Sequence, residues 1–516
     1  MGSRVFAILM FTFGVVSQLQ ALSVNLKNGI LSSNTFVFIS VPGGQQIPME
    51  VNATYATLTG KKGIFGHGWG SNLETRLKIQ EGGICIEENL IGDPNCFVSV
   101  QGKANTYESF REGPQSLKLE NNQYVRILPT EEKQIFSKEG KLLARIDQKS
   151  SYRQDYSYSG EYLTKISDNQ GRQLFFEYYP TGLIKEAKSS NGQVAKFTYN
   201  AENLITAQTV GNEVYTYAYD GNNNMTKLSY EDGTSYIVGY DPKTQFVSQF
   251  TDRFNVTMNY EYGENPQNPK NDYWTIVTTG KISSKYGYVV KQNNKGEEYT
   301  YQTEILEGAQ KKGKELVGGN KVVTTYNECC GLPLKIDSNG IVTEFKYNDQ
   351  GMILERTSTD GTYAKLQYDS SGKKPIMIEK NDGIRRQTFN YEYDKKGNLV
   401  KAKDADNTIV LGYDSRGNIV EMVRSDAQGG KHQLKIEYNA QSKPVEMTGI
   451  SGGRNLGTMN VSYDNFGEIA NLQSKDSRGI ASTGENTTME IPSFVAEEMN
   501  ILNALVAEST NDPAMP

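Results

Sequence analysis

Two histidines, four cysteines and a recurring series of aspartates are the side chains with which catalysis would have to begin in this 516-residue chain. A hydrolytic triad needs an imidazole or an equivalent base beside its nucleophile. His67 lies in the glycine-rich stretch Gly63-Ile64-Phe65-Gly66-His67-Gly68-Trp69, and His432 lies in Gly430-Lys431-His432-Gln433-Leu434, so both read as structural or exposed. The aspartates follow tyrosine and precede glycine, which makes them turn formers first; pairing two of them as a glycosidase acid and nucleophile would be arbitrary. No cysteine pair has histidines at metal-site spacing. The sequence therefore assigns no catalytic residue, no metal and no cofactor, and the expectation is a protein that is not an enzyme.

The cysteines divide into two pairs. Cys85 and Cys96 flank Gly92-Asp93-Pro94, a turn signal between Ile84-Cys85-Ile86 and Cys96-Phe97-Val98, so a cross-hairpin disulfide and two free thiols are the alternatives. Cys329 and Cys330 are adjacent in Tyr326-Asn327-Glu328-Cys329-Cys330-Gly331, one residue longer than the other turns. A reactive thiol needs positive charge nearby, whereas Glu328 is adjacent, so the pair reads as a structural turn or a vicinal disulfide.

What positions these residues is a repeat. Tyrosine followed by Asp or Asn recurs about every 20 to 25 residues, the mark of a repeat architecture. In the clearest copies glycine stands three positions after the Asp or Asn: Tyr347-Asn348 with Gly351, Tyr368-Asp369 with Gly372, Tyr393-Asp394 with Gly397, Tyr413-Asp414 with Gly417, and Tyr463-Asp464 with Gly467. The short polar side chain bonds its own downstream backbone and the glycine accepts positive φ, which makes a tight turn. Asn203 stands in for glycine after Tyr199-Asn200, and Asn is the next best residue for left-handed geometry. A second turn, as at Asn191-Gly192, Asp232-Gly233, Asn339-Gly340 and Asp360-Gly361, falls midway through each unit. Between the turns lie alternating β-branched and aromatic segments such as Val342-Thr343-Glu344-Phe345-Lys346-Tyr347. The fold class is all-β: tandem antiparallel β-hairpins that must curl into a sheet, with no helical crossovers.

Composition fits that reading. Only 37% of residues are apolar, yet there are 32 tyrosines and 50 glycines, which suits a sheet with no single greasy core. Net charge is −6 with both signs mixed along the chain, so no basic stripe offers itself and nucleic acid is not expected as a partner. Arg4 precedes the apolar run Val5 to Val16 and the small residues Ala21-Leu22-Ser23, the pattern of a signal peptide over 1–23, too short for a comfortable membrane span. The expected location is secreted, periplasmic or at the cell surface, with no stable membrane span after cleavage.

Segments such as Tyr393-Asp394-Lys395-Lys396-Gly397-Asn398-Leu399 and Tyr413-Asp414-Ser415-Arg416-Gly417-Asn418-Ile419 resemble the signature of the RHS/YD-repeat family. Residues 28–76, with Val41-Pro42-Gly43-Gly44, Ile47-Pro48, Tyr55 and the Gly63–Trp69 stretch, are similar to the segment that opens many of its members. The resemblance implies a spiralling, hollow β-shell. It divides the chain into an all-β cap at 24–150, a YD-repeat shell at 151–474 that is irregular over 263–325, and a tail at 475–516. About 30 strands at about 4.8 Å spacing would close one ring about 46 Å across. The family's Asp-Pro-x-Gly core motif and following toxin domain are not visible, the late Asp512-Pro513 being next to the terminus.

In the tail, Val495, Met499, Leu502 and Val506 recur at helical spacing within 493–508, an amphipathic helix that either tucks into the shell or docks a partner. The functional expectation is an exported, non-enzymatic β-shell that binds or encloses an unknown protein or polysaccharide. The alternatives are a truncated toxin-delivery carrier with separately encoded cargo and a carbohydrate-binding surface protein.

Overall fold

The computed structural model describes residues 22–510 apart from short segments at 42–46, 81–82, 110–114, 149–150, 294–295, 297, 314, 329–330, 441, 464–468, 477–480 and 485–490. Residues 1–21 of the expected signal peptide, Cys329 and Cys330, Asp464 and Gly467 lie outside the described residues, while Leu22 and Ser23 lie in the strand Leu22–Val24. From Arg76 on, successive strands pair antiparallel with their neighbours in sequence, Glu298–Lys312 pairing also with Asn320–Tyr326; the strands before Arg76 form three small separate sheets, and one α-helix, α1 (Ser493–Thr510), follows the ladder. The chain is therefore all-β hairpin repeats with a short C-terminal helix.

The unit of this ladder is visible at Tyr413. The Asp414 amide donates to the Asn418 carbonyl at 2.9 Å and the Gly417 amide to the Asp414 carbonyl at 3.1 Å. Gly417 sits at φ 81°, the left-handed residue that completes a tight turn with a bulge. Asp414 Oδ1 accepts from the Arg416 and Asn418 amides, both at 2.9 Å. Burial alone would raise the Asp414 carboxyl, but those donors and the Asn418 side chain outweigh it and hold it below the usual carboxylate range. Gly351, Gly372 and Gly397 are likewise at positive φ, and Asn203 takes φ 62° where glycine is missing. The pairing register shifts by one residue at each motif tyrosine, including Tyr199, Tyr347, Tyr368, Tyr393, Tyr413, Tyr438 and Tyr463.

The motif tyrosines do more than flank turns. Tyr347, Tyr368, Tyr393, Tyr413, Tyr438 and Tyr463 donate their hydroxyls to the carbonyls of Pro333, Ile353, Pro375, Leu399, Ile419 and Pro444, at 2.6 to 3.0 Å. Each acceptor is the first residue of the return strand of the preceding hairpin. Tyr178, Tyr199 and Tyr240 bond Leu163, Ile184 and Met225 in the same way. At these nine positions a half-buried side chain clasps one hairpin to the one before it, whereas the Tyr219 hydroxyl is buried without a partner among the described residues and that of Tyr326 meets Thr303 Oγ1.

The chain falls into two compact units. In the N-terminal unit (Val16–Glu261 with Thr278–Gly280), the segment Leu22 to Leu73 packs on the tyrosine face of the hairpins and forms one core with Leu163 to Phe250. It satisfies backbone groups at successive repeats: Ile184 donates to the Ile64 carbonyl at 2.9 Å, Met225 to the Tyr55 hydroxyl at 2.9 Å, and Val247 to the Gly29 carbonyl at 2.9 Å. Those three donors are the first residues of three return strands, so the segment is built to the period of the repeat. A Cβ on Gly66 would collide with the Asn203 carbonyl, which is why the chain carries glycine there.

The expected cap does not end the sheet at residue 150. Strands from Arg76 onward already belong to the ladder, and Ala144, Arg145 and Ile146 pair with Asp155, Gln154 and Arg153 across that position. These early strands lack the tyrosine motif but offer the same unpaired edge, so pairing simply continues. Within them Cys85 and Cys96 are directly opposite and joined by a disulfide, with Cα atoms 4.0 Å apart.

The C-terminal unit (Tyr262–Val277 and Lys281–Pro516) holds the longest strands, Ile282–Gln292 and Glu298–Lys312, and its own core from Ile378 to Leu472. Helix α1 closes that core.

Gly417→Val should destabilise the protein by about 1 to 3 kcal/mol, because a β-branched residue must adopt left-handed geometry there. Gly417→Asn should cost much less, as Asn203 already occupies the equivalent place. Thermal melting of both variants checks this; equal melting of Val and wild type would remove the turn assignment.

Candidate functional site

The tyrosine face of each unit is where contacts other than the ladder are made. In the C-terminal unit its best-built feature is the seat of α1. Val495, Met499, Leu502, Leu505 and Val506 are all buried against the sheet. The helix packs on strands Pro375–Asn381, Leu399–Lys403, Lys431–Tyr438 and Pro444–Ser451. Gly449 and Gly457 are register partners, and a Cβ on either would run into the Phe494 ring, so the two glycines form a notch for that ring. The Tyr391 hydroxyl donates to the Leu505 carbonyl at 2.9 Å.

Charge completes the seat. Arg424, nearly fully buried, donates from Nε to Glu498 Oε2 at 2.8 Å and from Nη2 to Glu498 Oε1 at 2.7 Å, with Glu497 Oε1 at 3.3 Å. The Glu498 hydrogen bonds outweigh burial and raise the Arg424 guanidinium above its ordinary range. His432, the register partner of Arg424, places Nδ1 3.5 Å from Glu498 Oε1 and Nε2 3.7 Å from Asp426 Oδ2. The four apolar helix residues named as a partner-docking face are therefore already occupied, and their role as an open docking surface is corrected. The helix also runs to Thr510 rather than 508. Sequence reading missed Arg424 and Glu498, although each carries a signal: Arg424 shares strand parity with buried Met422, and Glu498 falls inside the apolar stripe of the helix.

A second part of the same face in this unit carries no helix. The register Tyr288 with Thr303 and Thr303 with Thr324 sets Tyr288, Thr303 and the motif residue Tyr326 on one side of the sheet. Thr303 Oγ1 and the Tyr326 hydroxyl lie 3.2 Å apart, and Tyr273 stacks on Tyr288 at 5.6 Å. Burial first, then the neighbouring Tyr273, Tyr286 and Tyr326 hydroxyls, raise the Tyr288 phenol above its ordinary value. These half-buried rings present flat apolar area with polar tips, a surface that accepts either a polypeptide or a planar ring.

In the N-terminal unit His67 lies in the Gly66–His67 bridge, where its amide faces the Asn203 carbonyl at 3.4 Å. The strongly perturbed acid there is Glu74. Burial pushes its carboxyl up to about 7, against the opposing effect of the Ile64 and Ser71 amides, which donate to it at 3.0 and 3.1 Å. Both oxygens are used to fold the Gly63–Trp69 stretch, so its task is positional. Among the described residues no group of three His, Cys, Asp or Glu is placed to hold a metal ion, and no helix is long and apolar enough to cross a membrane.

Residues 23–89 match the family model described as "Domain of unknown function (DUF6531)". Over 132 residues the chain is 26% identical to the tRNA nuclease WapA of Bacillus subtilis and to the tRNA3(Ser)-specific nuclease WapA of Bacillus spizizenii. Each alignment covers 25% of this chain and 6% of the relative. Among solved structures, the Photorhabdus luminescens Tc holotoxin pore superposes on 92% of this chain and 28% of its own, at 10% identity and a TM-score of 0.41.

These names correct two expectations. The reading as a protein that is not an enzyme rested on the scarcity of histidine, and the exclusion of nucleic acid rested on the mixed charge. The matching relatives are nucleases, and their substrate is tRNA. Bulk charge reports the average surface and says nothing of a local site.

Glu74 makes a pH prediction. Its folded-state carboxyl is raised from 4.5 to about 7, so its contribution to stability is fully present below pH 4.5 and is lost as pH rises through 7. Glu74→Gln mimics the protonated form, so relative to the variant the wild type should lose on the order of 3 kcal/mol between those limits. Melting curves of both proteins across that range test it; a constant difference would mean that Glu74 does not titrate there.

Proposed function

We propose that this chain is the YD-repeat portion of an exported, RHS-type toxin system whose chemistry is directed at tRNA, the ladder holding the polypeptide that carries the nuclease. The observation that carries the reading is the tyrosine face itself. In each unit that face accepts a non-ladder segment of polypeptide, Leu22 to Leu73 in one and α1 in the other, by apolar burial combined with hydrogen bonds to backbone. The half-buried tyrosines of Tyr273, Tyr286, Tyr288 and Tyr326 extend the same chemistry to strands that α1 does not pack on. A held polypeptide needs just such a surface: enough apolar area to bind, with hydroxyls that can pair whatever backbone lies across it.

The substrate class is supported by the nuclease relatives. Export is supported by the Arg4 and Val5 to Val16 pattern and by the disulfide between Cys85 and Cys96, which forms in oxidising compartments.

The test is to purify the protein natively, with everything that stays bound, and to incubate it with total tRNA after mild denaturation and refolding to free any held chain. Discrete tRNA fragments, lost when the bound polypeptide is removed or when its active residues are changed, are the expected result. Intact tRNA together with no polypeptide retained on the repeat would overturn the reading.

A further inference from the structure

Helix α1 crosses the sheet against the order of the strands. Phe494, near its start, fills the notch of Gly449 and Gly457, Glu498 meets Arg424 on strand Ile419–Asp426, and the Leu505 carbonyl accepts from Tyr391 on strand Arg386–Tyr393. Strand Pro375–Asn381 also packs against it. The helix therefore carries the chain from the later repeats back towards the earlier ones, and its last turn, ending at Thr510, is aimed at strands Pro375–Asn381, Tyr363–Tyr368 and Ile353–Ser358. That last turn holds no basic residue, so a cation that answers the negative end of the helix dipole has to come from the sheet.

The sheet supplies two. Arg356, Ala364 and Lys380 are successive register partners across those three strands, so a guanidinium and an ammonium flank one small, buried side chain on the face that α1 packs on. Lys380 lies over the Phe389 ring at 5.2 Å, inside the core that the helix closes, which fixes its face. The row ends in Phe345 beyond Arg356 and Gln387 beyond Lys380, so it carries two positive charges and no negative one. Phe345 and Ile353 are buried on this face, although the buried members of the helix core begin only at Ile378. Two cations two strand spacings apart, roughly 10 Å, with an alanine between them, make a cradle for one carboxylate beside an apolar floor.

We propose that residues 511–516, which follow the helix in sequence, run on over this row and set the Asp512 carboxylate between Arg356 and Lys380. Reach agrees with the placement. A helix advances about 1.5 Å per residue and an extended chain about 3.3 Å, so the path from Leu505 through Thr510 to Asp512 covers roughly 14 Å. That is two to three strand spacings beyond Tyr391, where Ala364 and Arg356 lie. The residue types agree as well: Asp512 is the acidic residue of 511–516, Pro513 and Pro516 keep the segment out of helix, and Ala514 and Met515 are apolar, as the floor requires. The anchor holds the end of α1 by charge, as Arg424 and Glu498 hold its middle, and directs the chain along the tyrosine face. It rests on the direction of the helix and on the row of register partners, and stands apart from any assignment of substrate.

Zero-length carbodiimide coupling of the full chain, which joins a carboxyl to an amine only where the two are in contact, tests the anchor directly. Digestion and mass spectrometry should find Asp512 joined to Lys380 through an amide. Hydrogen exchange gives the second reading. In Asp512→Asn the amides of residues 506–510 should exchange about three- to tenfold faster, the range that loss of one charge-assisted contact gives, while those of residues 495–500, held by Arg424, should not change. Arg356→Gln should have the same effect, and the double variant should exchange no faster than either single one. No link between residues 511–516 and Lys380, or last-turn protection unchanged in Asp512→Asn, would overturn the proposal and leave the two cations to another anion.

Discussion

A β-hairpin pairs with its neighbour through backbone alone, and backbone pairing is indifferent to which repeat comes next. The hydroxyl of a motif tyrosine, at Tyr199, Tyr240 and from Tyr347 to Tyr463, removes that indifference. It reaches over the bulge at its own strand end to the carbonyl that opens the preceding return strand, as from Tyr413 to Leu399 and from Tyr438 to Ile419. The ring must lie along the sheet to get there, so it covers apolar surface while its polar tip is satisfied. Register, turn and inter-repeat contact are thereby fixed by a single side chain, and the Asp and Gly that follow it exist to place it.

That arrangement leaves the tyrosine face of the hairpins in each unit semi-apolar and in need of cover. The N-terminal segment answers this in the first unit by matching the repeat period, with Ile64, Tyr55 and Gly29 meeting Ile184, Met225 and Val247. The helix answers it in the second by shape and charge, with Phe494 in the glycine notch and Glu498 on Arg424. The two solutions differ because the first segment runs along strand ends and meets backbone donors, whereas the helix has already consumed its own backbone and must rely on side chains.

The turns were legible in the sequence because their causes are local. Asp414 bonds amides within four residues of itself, and Gly417 announces positive φ by being glycine. The tyrosine clasp was not legible, because the acceptor is a carbonyl, carried by every residue type, and lies in a different hairpin. The helix was visible in its periodicity, but its docking partner was not: an apolar stripe is the same whether it meets its own sheet or another protein. The pairing of Arg424 with Glu498 needed the parity of two distant elements to be compared, and the nuclease relatives could not be inferred from two histidines and a net charge at all.

The central claim is that the motif hydroxyls, and not only the rings, hold the repeats in order. Replacing Tyr368, Tyr393 and Tyr413 together by phenylalanine keeps every ring, turn and strand and deletes three hydroxyl-to-carbonyl bonds in consecutive repeats. Denaturant or thermal unfolding of this triple variant should show a loss of on the order of 1 kcal/mol for each bond, roughly additive, and more if the carbonyls are left without water. A triple variant as stable as the wild type would contradict the account, since the tyrosines would then serve only as apolar rings.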